Sequence, residues 1–135
     1  GLGAMRICLS IAPHSVAEAR RIFRTKAAGR FPVEIRVDTI RDLDLGALLR
    51  HPRPSVIITN RRRSEGGAFV GDARRQVALL GEALALGAEF VDIELSWGVA
   101  VVRQLSAPFP HRVICSHHDF HGTPDDRLAA PAEDR

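Results

Sequence analysis

The sequence predicts an α/β fold of parallel (β/α) repeats, curling into part of a barrel with about five strands present. Two observations predict it. Short β-type runs alternate with helix-type segments at a spacing of about 25 to 30 residues, the pattern of βαβ units around a parallel sheet. In addition, residues 33–38, Val-Glu-Ile-Arg-Val-Asp, alternate apolar with ionisable side chains. The strand period of two puts Val33, Ile35 and Val37 on one face and Glu34, Arg36 and Asp38 on the other. A central strand of an open, doubly wound sheet is covered by helices on both faces and reads as apolar throughout. Three ionisable groups on one face instead suit the interior of a (β/α)₈ barrel near its mouth. A sheet edge with a solvated face is the plainer alternative.

The elements follow in order. Residues 7–12 read as a strand and 15–28 as an amphipathic helix with Ser15 as its N-cap. Residues 32–40 form the second strand, 45–49 a short helix and 55–60 the third strand. A helix over 72–86 ends at Gly87, a residue suited to a left-handed C-terminal cap. Residues 89–95 are the fourth strand, 99–105 a short helix and 112–120 the fifth strand. A last helix begins at Thr123-Pro124-Asp125-Asp126, with an N-cap, a proline at the first helical position and acids at the positive helix end. The whole chain, residues 1–135, reads as one partial barrel domain, with 125–135 a frayed tail.

Composition narrows the class. At 135 residues, 45% hydrophobic and 26% charged, the chain has the make-up of a globular domain large enough to bury a core. No stretch approaches the roughly 20 consecutive apolar residues that span a bilayer, and the start lacks the pattern of a signal peptide, so a cytoplasmic protein without a membrane partner is expected. Cys8 and Cys115 lie in apolar runs and read as small buried core residues in a reducing compartment. The net charge is +3, and of 19 basic residues only Lys26 is a lysine. Arginine-rich Arg61–Arg63 has no interleaved aromatics, and 16 acidic residues dilute the charge, so no nucleic-acid partner is expected.

The polar groups gather at the C-terminal ends of the strands, where barrel active sites lie. After the third strand comes Thr59-Asn60-Arg61-Arg62-Arg63-Ser64-Glu65-Gly66-Gly67, whose glycine pair permits a tight turn beside a fixed acid. The fifth strand ends in Cys115-Ser116-His117-His118-Asp119-Phe120, with Ser116, His118 and Phe120 sharing a face. Histidine titrates near neutral pH and suits proton transfer. Adjacent strand residues diverge, so His117, His118, Asp119 and His121 do not converge on one ion, and no metal site is expected. His118 as a satisfied core histidine, and Glu34, Arg36 and Asp38 as a structural ion network, are the bland readings.

Four segments together resemble one family, the type I 3-dehydroquinate dehydratases. V-E-I-R-V-D is similar to its E-x-R-x-D strand and T-N-R-R-R-S-E-G-G to its T-x-R-x-x-x-E-G-G loop. V-D-I-E-L matches its fourth strand, and S-H-H-D-F-H-G-T-P its S-x-H-D-F-x-x-T-P segment. The resemblance implies a partial TIM (β/α)₈ barrel and a lyase of the shikimate pathway. That enzyme converts 3-dehydroquinate into 3-dehydroshikimate and water through a lysine Schiff base, without a cofactor. It further implies His118 as general acid/base and Glu65 as the carboxylate orienting it. Glu34, Arg36, Arg61 and Ser10 become substrate contacts.

The family's Schiff-base lysine lies on its sixth strand, which is past Arg135, and Lys26 sits in the first helix away from the mouth. Activity of the chain alone is therefore not expected. Three readings stand: a piece of a full-length enzyme whose C-terminal half is missing, a short protein that self-associates or takes a partner to complete the sheet, or a non-catalytic small hydroxy-acid-binding descendant.

Overall fold

Four of the five described α-helix starts in the structure, a computed structural model that describes residues 7–117, are written in the side chain before them. Ser15 Oγ accepts the Glu18 backbone N–H at 3.0 Å and opens α1 (Val16–Ile22). Thr25 opens α2 (Lys26–Arg30), Asp44 opens α3 (Leu45–Leu48) and Asp72 opens α4 (Ala73–Ala85), each accepting a first-turn N–H. Such caps satisfy donors that the helix itself leaves open, at about 1 kcal/mol each. Only α5 (Val99–Ser106) starts without one, at Gly98. The end of α4 is equally determined. Gly87 takes φ 98°, its N–H donates to the Leu84 carbonyl, and the Ala88 N–H donates to that of Ala83, so a Schellman turn closes the helix where expected.

The strands are β1 (Leu9–Ile11), β2 (Val33–Arg36), β3 (Val56–Thr59), β4 (Phe90–Glu94) and β5 (Val113–Ser116). All pair in parallel, in the order β1-β2-β3-β4-β5. A doubly wound sheet reverses its strand order part-way. An unbroken sequential order with right-handed crossovers keeps every connection on one side, which is the barrel arrangement. The chain forms a five-stranded arc of a (β/α)₈ barrel.

One face of that arc carries Val33, Ile35, Val56, Ile58, Val91 and Ile93, all fully buried against Ala19, Leu48, Leu80, Ala83, Leu84 and Leu105 from the helices. Each large aliphatic side chain there contributes about 1.5–3 kcal/mol of burial. The other face is the barrel interior. Register places Ser10, Glu34, Ile57 and Phe90 on one rung and Arg36, Thr59, Asp92 and Ile114 on the next. Polar groups thus dominate toward the C-terminal strand ends and apolar ones toward the other end.

Several expectations need correction. The helix over 15–28 is two helices, because Thr25 Oγ1 donates to the Ile22 carbonyl and also accepts the Ala28 N–H, ending one helix and starting the next. The second strand stops at Arg36, four residues short, and Val37–Thr39 forms a 3₁₀ turn that redirects Asp38. A second 3₁₀ turn, Arg63–Glu65, was not foreseen. Cys8 and Cys115 are exposed rather than buried. Cys8 directly precedes the end strand β1, its Sγ 4.0 Å from Ser10 Oγ, and Cys115 is on β5 at the opposite edge of the sheet. His118, Phe120, the tail and the helix expected from Thr123 lie outside the described residues.

Candidate active site

At the C-terminal ends of the strands, charged side chains form a connected set. Glu34 on β2 accepts from Ser10 Oγ at 2.7 Å and from Thr59 Oγ1 at 2.8 Å, so neighbouring strands hold both oxygens of one carboxylate. Arg36 points the same way and donates from Nε and Nη2 to Asp38 at 2.8 and 2.7 Å, a bidentate pair. Asp38 is fully buried and does more than hold Arg36. Its Oδ1 accepts the Arg61 N–H and its Oδ2 the Ala68 N–H, each at 3.0 Å. Burial alone would raise its pKa. The bonds from Arg36, Arg61 and Ala68 outweigh that and hold the carboxyl below its usual range.

Those two backbone bonds tie β2 to the loop after β3. The Gly67 N–H donates to the Arg62 carbonyl and the Phe69 N–H to that of Arg61, folding the loop back on itself. A Cβ at Gly67 would lie 2.1 Å from the Arg61 carbonyl oxygen, so only glycine fits. Gly66 at φ 88° ends the 3₁₀ turn and sets Glu65 in place. The Glu65 Oε1 is buried and has no hydrogen-bond partner among the described residues.

Arg61 reaches across to β4, where its Nη1 bonds Glu94 Oε2 and lies 3.7 Å from Asp92 Oδ2. Glu94, 2% exposed, also accepts from Trp97 Nε1 at 3.0 Å. The Arg62 guanidinium stacks 3.9 Å above the Trp97 ring and donates to Ser96 Oγ. Ser116 on β5 donates to Asp92 at 3.0 Å. Burial pushes the Asp92 carboxyl up to about 6, against the pull of Arg61 and Ser116 and with the push of Glu94 and Glu34. A carboxyl poised near that value exchanges protons close to neutral pH.

Of the residues singled out from sequence, Ser10, Glu34, Arg36 and Arg61 gather at the same strand ends, and Glu65 follows Arg61 on one loop; His118 lies outside the described residues. Thr59, Asp92 and Glu94 carry no role in the sequence reading and Asp38 only that of a structural ion partner, yet all four hold the set together. Asp92 and Glu94 had a signal in the period-two acids of β4, the same pattern that marked β2.

The family model described as type I 3-dehydroquinase matches residues 7–132. The chain belongs to the type I 3-dehydroquinase family. Among curated relatives, the 3-dehydroquinate dehydratase of Methanothrix thermoacetophila is 33% identical over 117 residues, 82% of this chain and 48% of that protein. The pentafunctional AROM polypeptide of Komagataella phaffii is 36% identical over 105 residues, 67% of this chain and 6% of the polypeptide. The chain therefore spans at most about half the length of these relatives. A solved type I 3-dehydroquinate dehydratase from Clostridium difficile, with covalently modified comenic acid, superposes with a TM-score of 0.71 at 23% identity. It covers 88% of this chain and 53% of that one, a likeness of fold.

Proposed function

We propose that this chain provides the substrate-holding and acid–base part of a 3-dehydroquinate dehydratase, which converts 3-dehydroquinate into 3-dehydroshikimate and water. The observation that carries the reading is the linked set Ser10–Glu34–Thr59 and Arg36–Asp38–Arg61–Glu94 at the C-terminal ends of parallel strands. The substrate is a polyhydroxylated carboxylate. Glu34 and Ser10 offer acceptors for its hydroxyl groups, and the Arg36 and Arg61 guanidiniums offer planar donors.

In this reading the substrate ketone condenses with a lysine amine, and the iminium so formed acidifies the adjacent C–H. His118 removes that proton, the electron pair flows toward the iminium, and on its return expels the neighbouring hydroxyl, which leaves as water with the proton from His118. Glu65 orients His118; its buried, unpartnered Oε1 is suited to accept an imidazole N–H. The amine comes from outside these 135 residues. Lys26, the single lysine, opens α2, which leads into the N-terminal end of β2, remote from the charged set.

The test is turnover of 3-dehydroquinate, followed by absorbance of the conjugated enone product, in this chain completed with the C-terminal barrel half of a type I 3-dehydroquinate dehydratase and in the Glu34→Gln and Arg61→Met variants of it. Turnover that falls at least about a hundredfold in both variants is expected, since each loses a charge-assisted contact to the substrate. Borohydride trapping of this chain alone is expected to leave Lys26 unmodified. An adduct on Lys26, or undiminished turnover in both variants, overturns the reading.

A further inference from the structure

At the opposite end of the sheet from the candidate active site, the segments entering β2 and β3 enclose a cleft of about 700 Å³. Its wall carries Arg20, Arg24, Arg30 and Arg53, with Phe23 and Phe31 between them, and no carboxylate residue lines it among the described residues. We propose that this cleft is a binding site for a phosphate-bearing small anion, separate from the barrel mouth.

Two of the arginines are built in. Arg20 Nη1 donates to the Leu48 carbonyl at 2.9 Å and the Arg50 carbonyl at 3.0 Å, and its Nη2 to the Pro52 carbonyl at 3.3 Å. Among the described residues its hydrogen-bond acceptors are all neutral carbonyls and its guanidinium lies over the Phe23 ring, so its position is fixed while no carboxylate offsets its charge. Arg53 is anchored by the Leu49, Pro54 and Gly87 carbonyls and shares a single carboxylate, Glu89, at 3.0 Å. Burial and the nearby Arg50, Arg24 and Arg53 lower the Arg20 pKa, the mark of positive charge crowded together. Arg24 and Arg30 are exposed and form no salt bridge among the described residues. Their long side chains reach over the cleft toward a ligand that the two fixed guanidiniums attract.

A concave, low-dielectric wall of one charge sign focuses the field on its contents. Arg20 and Arg53, whose N–H groups bond carbonyls and Glu89, add fixed charge, while the exposed Arg24 and Arg30 offer guanidinium forks that match phosphate oxygens two at a time. The Ser55 hydroxyl lies at the same wall as a further donor. Bland use of these residues accounts for part of this: Arg20 and Arg53 satisfy the carbonyls of the α3–β3 connection. That role needs neither Arg24 nor Arg30, and it does not require four like charges on one cleft.

Titration of the full chain with pyrophosphate, observed at the arginine Nε–H NMR signals, tests the proposal, with inorganic phosphate and ribose 5-phosphate as further arms. Saturable shifts at Arg20 and Arg53 are expected. They should weaken about tenfold or more in Arg24→Gln/Arg30→Gln, as for loss of two charge-assisted contacts, while the thermal midpoint stays that of the parent. A response to ribose 5-phosphate stronger than to inorganic phosphate identifies a phosphoester metabolite as the source; the reverse identifies free phosphate. Absence of saturable shifts with all three anions, or equal affinity in the variant, overturns the proposal.

Discussion

Replacing Asp38 with alanine removes the one carboxylate that joins β2 to the loop after β3. Four hydrogen bonds end on it: two from Arg36 and one each from the Arg61 and Ala68 backbones. Bonds to a charged group are worth roughly 1.5–3 kcal/mol each, but they do not all survive as net stability. Arg36 is 26% exposed and recovers water, and the Ala68 N–H is close to solvent. Arg36 nevertheless keeps a partly buried charge without its partner, which typically costs about 3–5 kcal/mol when one member of such a pair is deleted. The lower end, about 3 kcal/mol, is expected here. Urea denaturation at pH 7 measures it through the midpoint at constant m-value. The pH dependence supplies a second check. Folding lowers the Asp38 pKa, so its contribution is complete above its ordinary value near 3.8 and is lost as pH falls through the lower folded value. Between pH 5 and pH 3, on the order of the range where that loss begins, the parent should lose stability more steeply than Asp38→Ala. A destabilisation under about 1 kcal/mol, or parallel pH curves, would refute the account of Asp38 as the tie between β2 and the loop.

Asp92 has the opposite sign: burial raises its pKa to about 6, so the folded state binds a proton that the unfolded state releases from about pH 4 upward. Stability from this group falls as pH rises from about 4 to 6, by at most about 3 kcal/mol, and Asp92→Asn should flatten that slope in denaturation curves. Gly67→Ala drives a Cβ into the Arg61 carbonyl and should cost about 2 kcal/mol, with faster amide exchange confined to the loop of residues 61–69. Arg62→Ala uncovers Trp97, the single tryptophan, so its emission should shift to longer wavelength while the thermal midpoint changes little. An unshifted spectrum would mean that the stacked geometry is not held in solution.

Local chemistry alone specified much of this protein. Ser15 as a cap, Gly87 as a left-handed stop and the period-two charges of β2 are one-residue or nearest-neighbour effects, and each was legible in the sequence. The likeness of Glu34, Arg36, Arg61 and Glu65 to a known set was legible too, because spacing along a strand or tight loop carries it. Thr25 was missed because a hydroxyl able to bond both ways competes with a helix whose apolar pattern runs on unbroken. The buried reading of Cys8 and Cys115 failed for another reason. Apolar neighbours along a strand say which face a side chain takes, but not whether anything packs on that face. Only the folded sheet decided that Asp38 meets the backbone of Arg61 and Ala68, that Arg61 bridges Asp92 and Glu94, and that four arginines share one cleft. The Asp38 and Arg61 contacts join residues more than 20 positions apart, and their energies depend on register and burial, which exist only once the strands are paired.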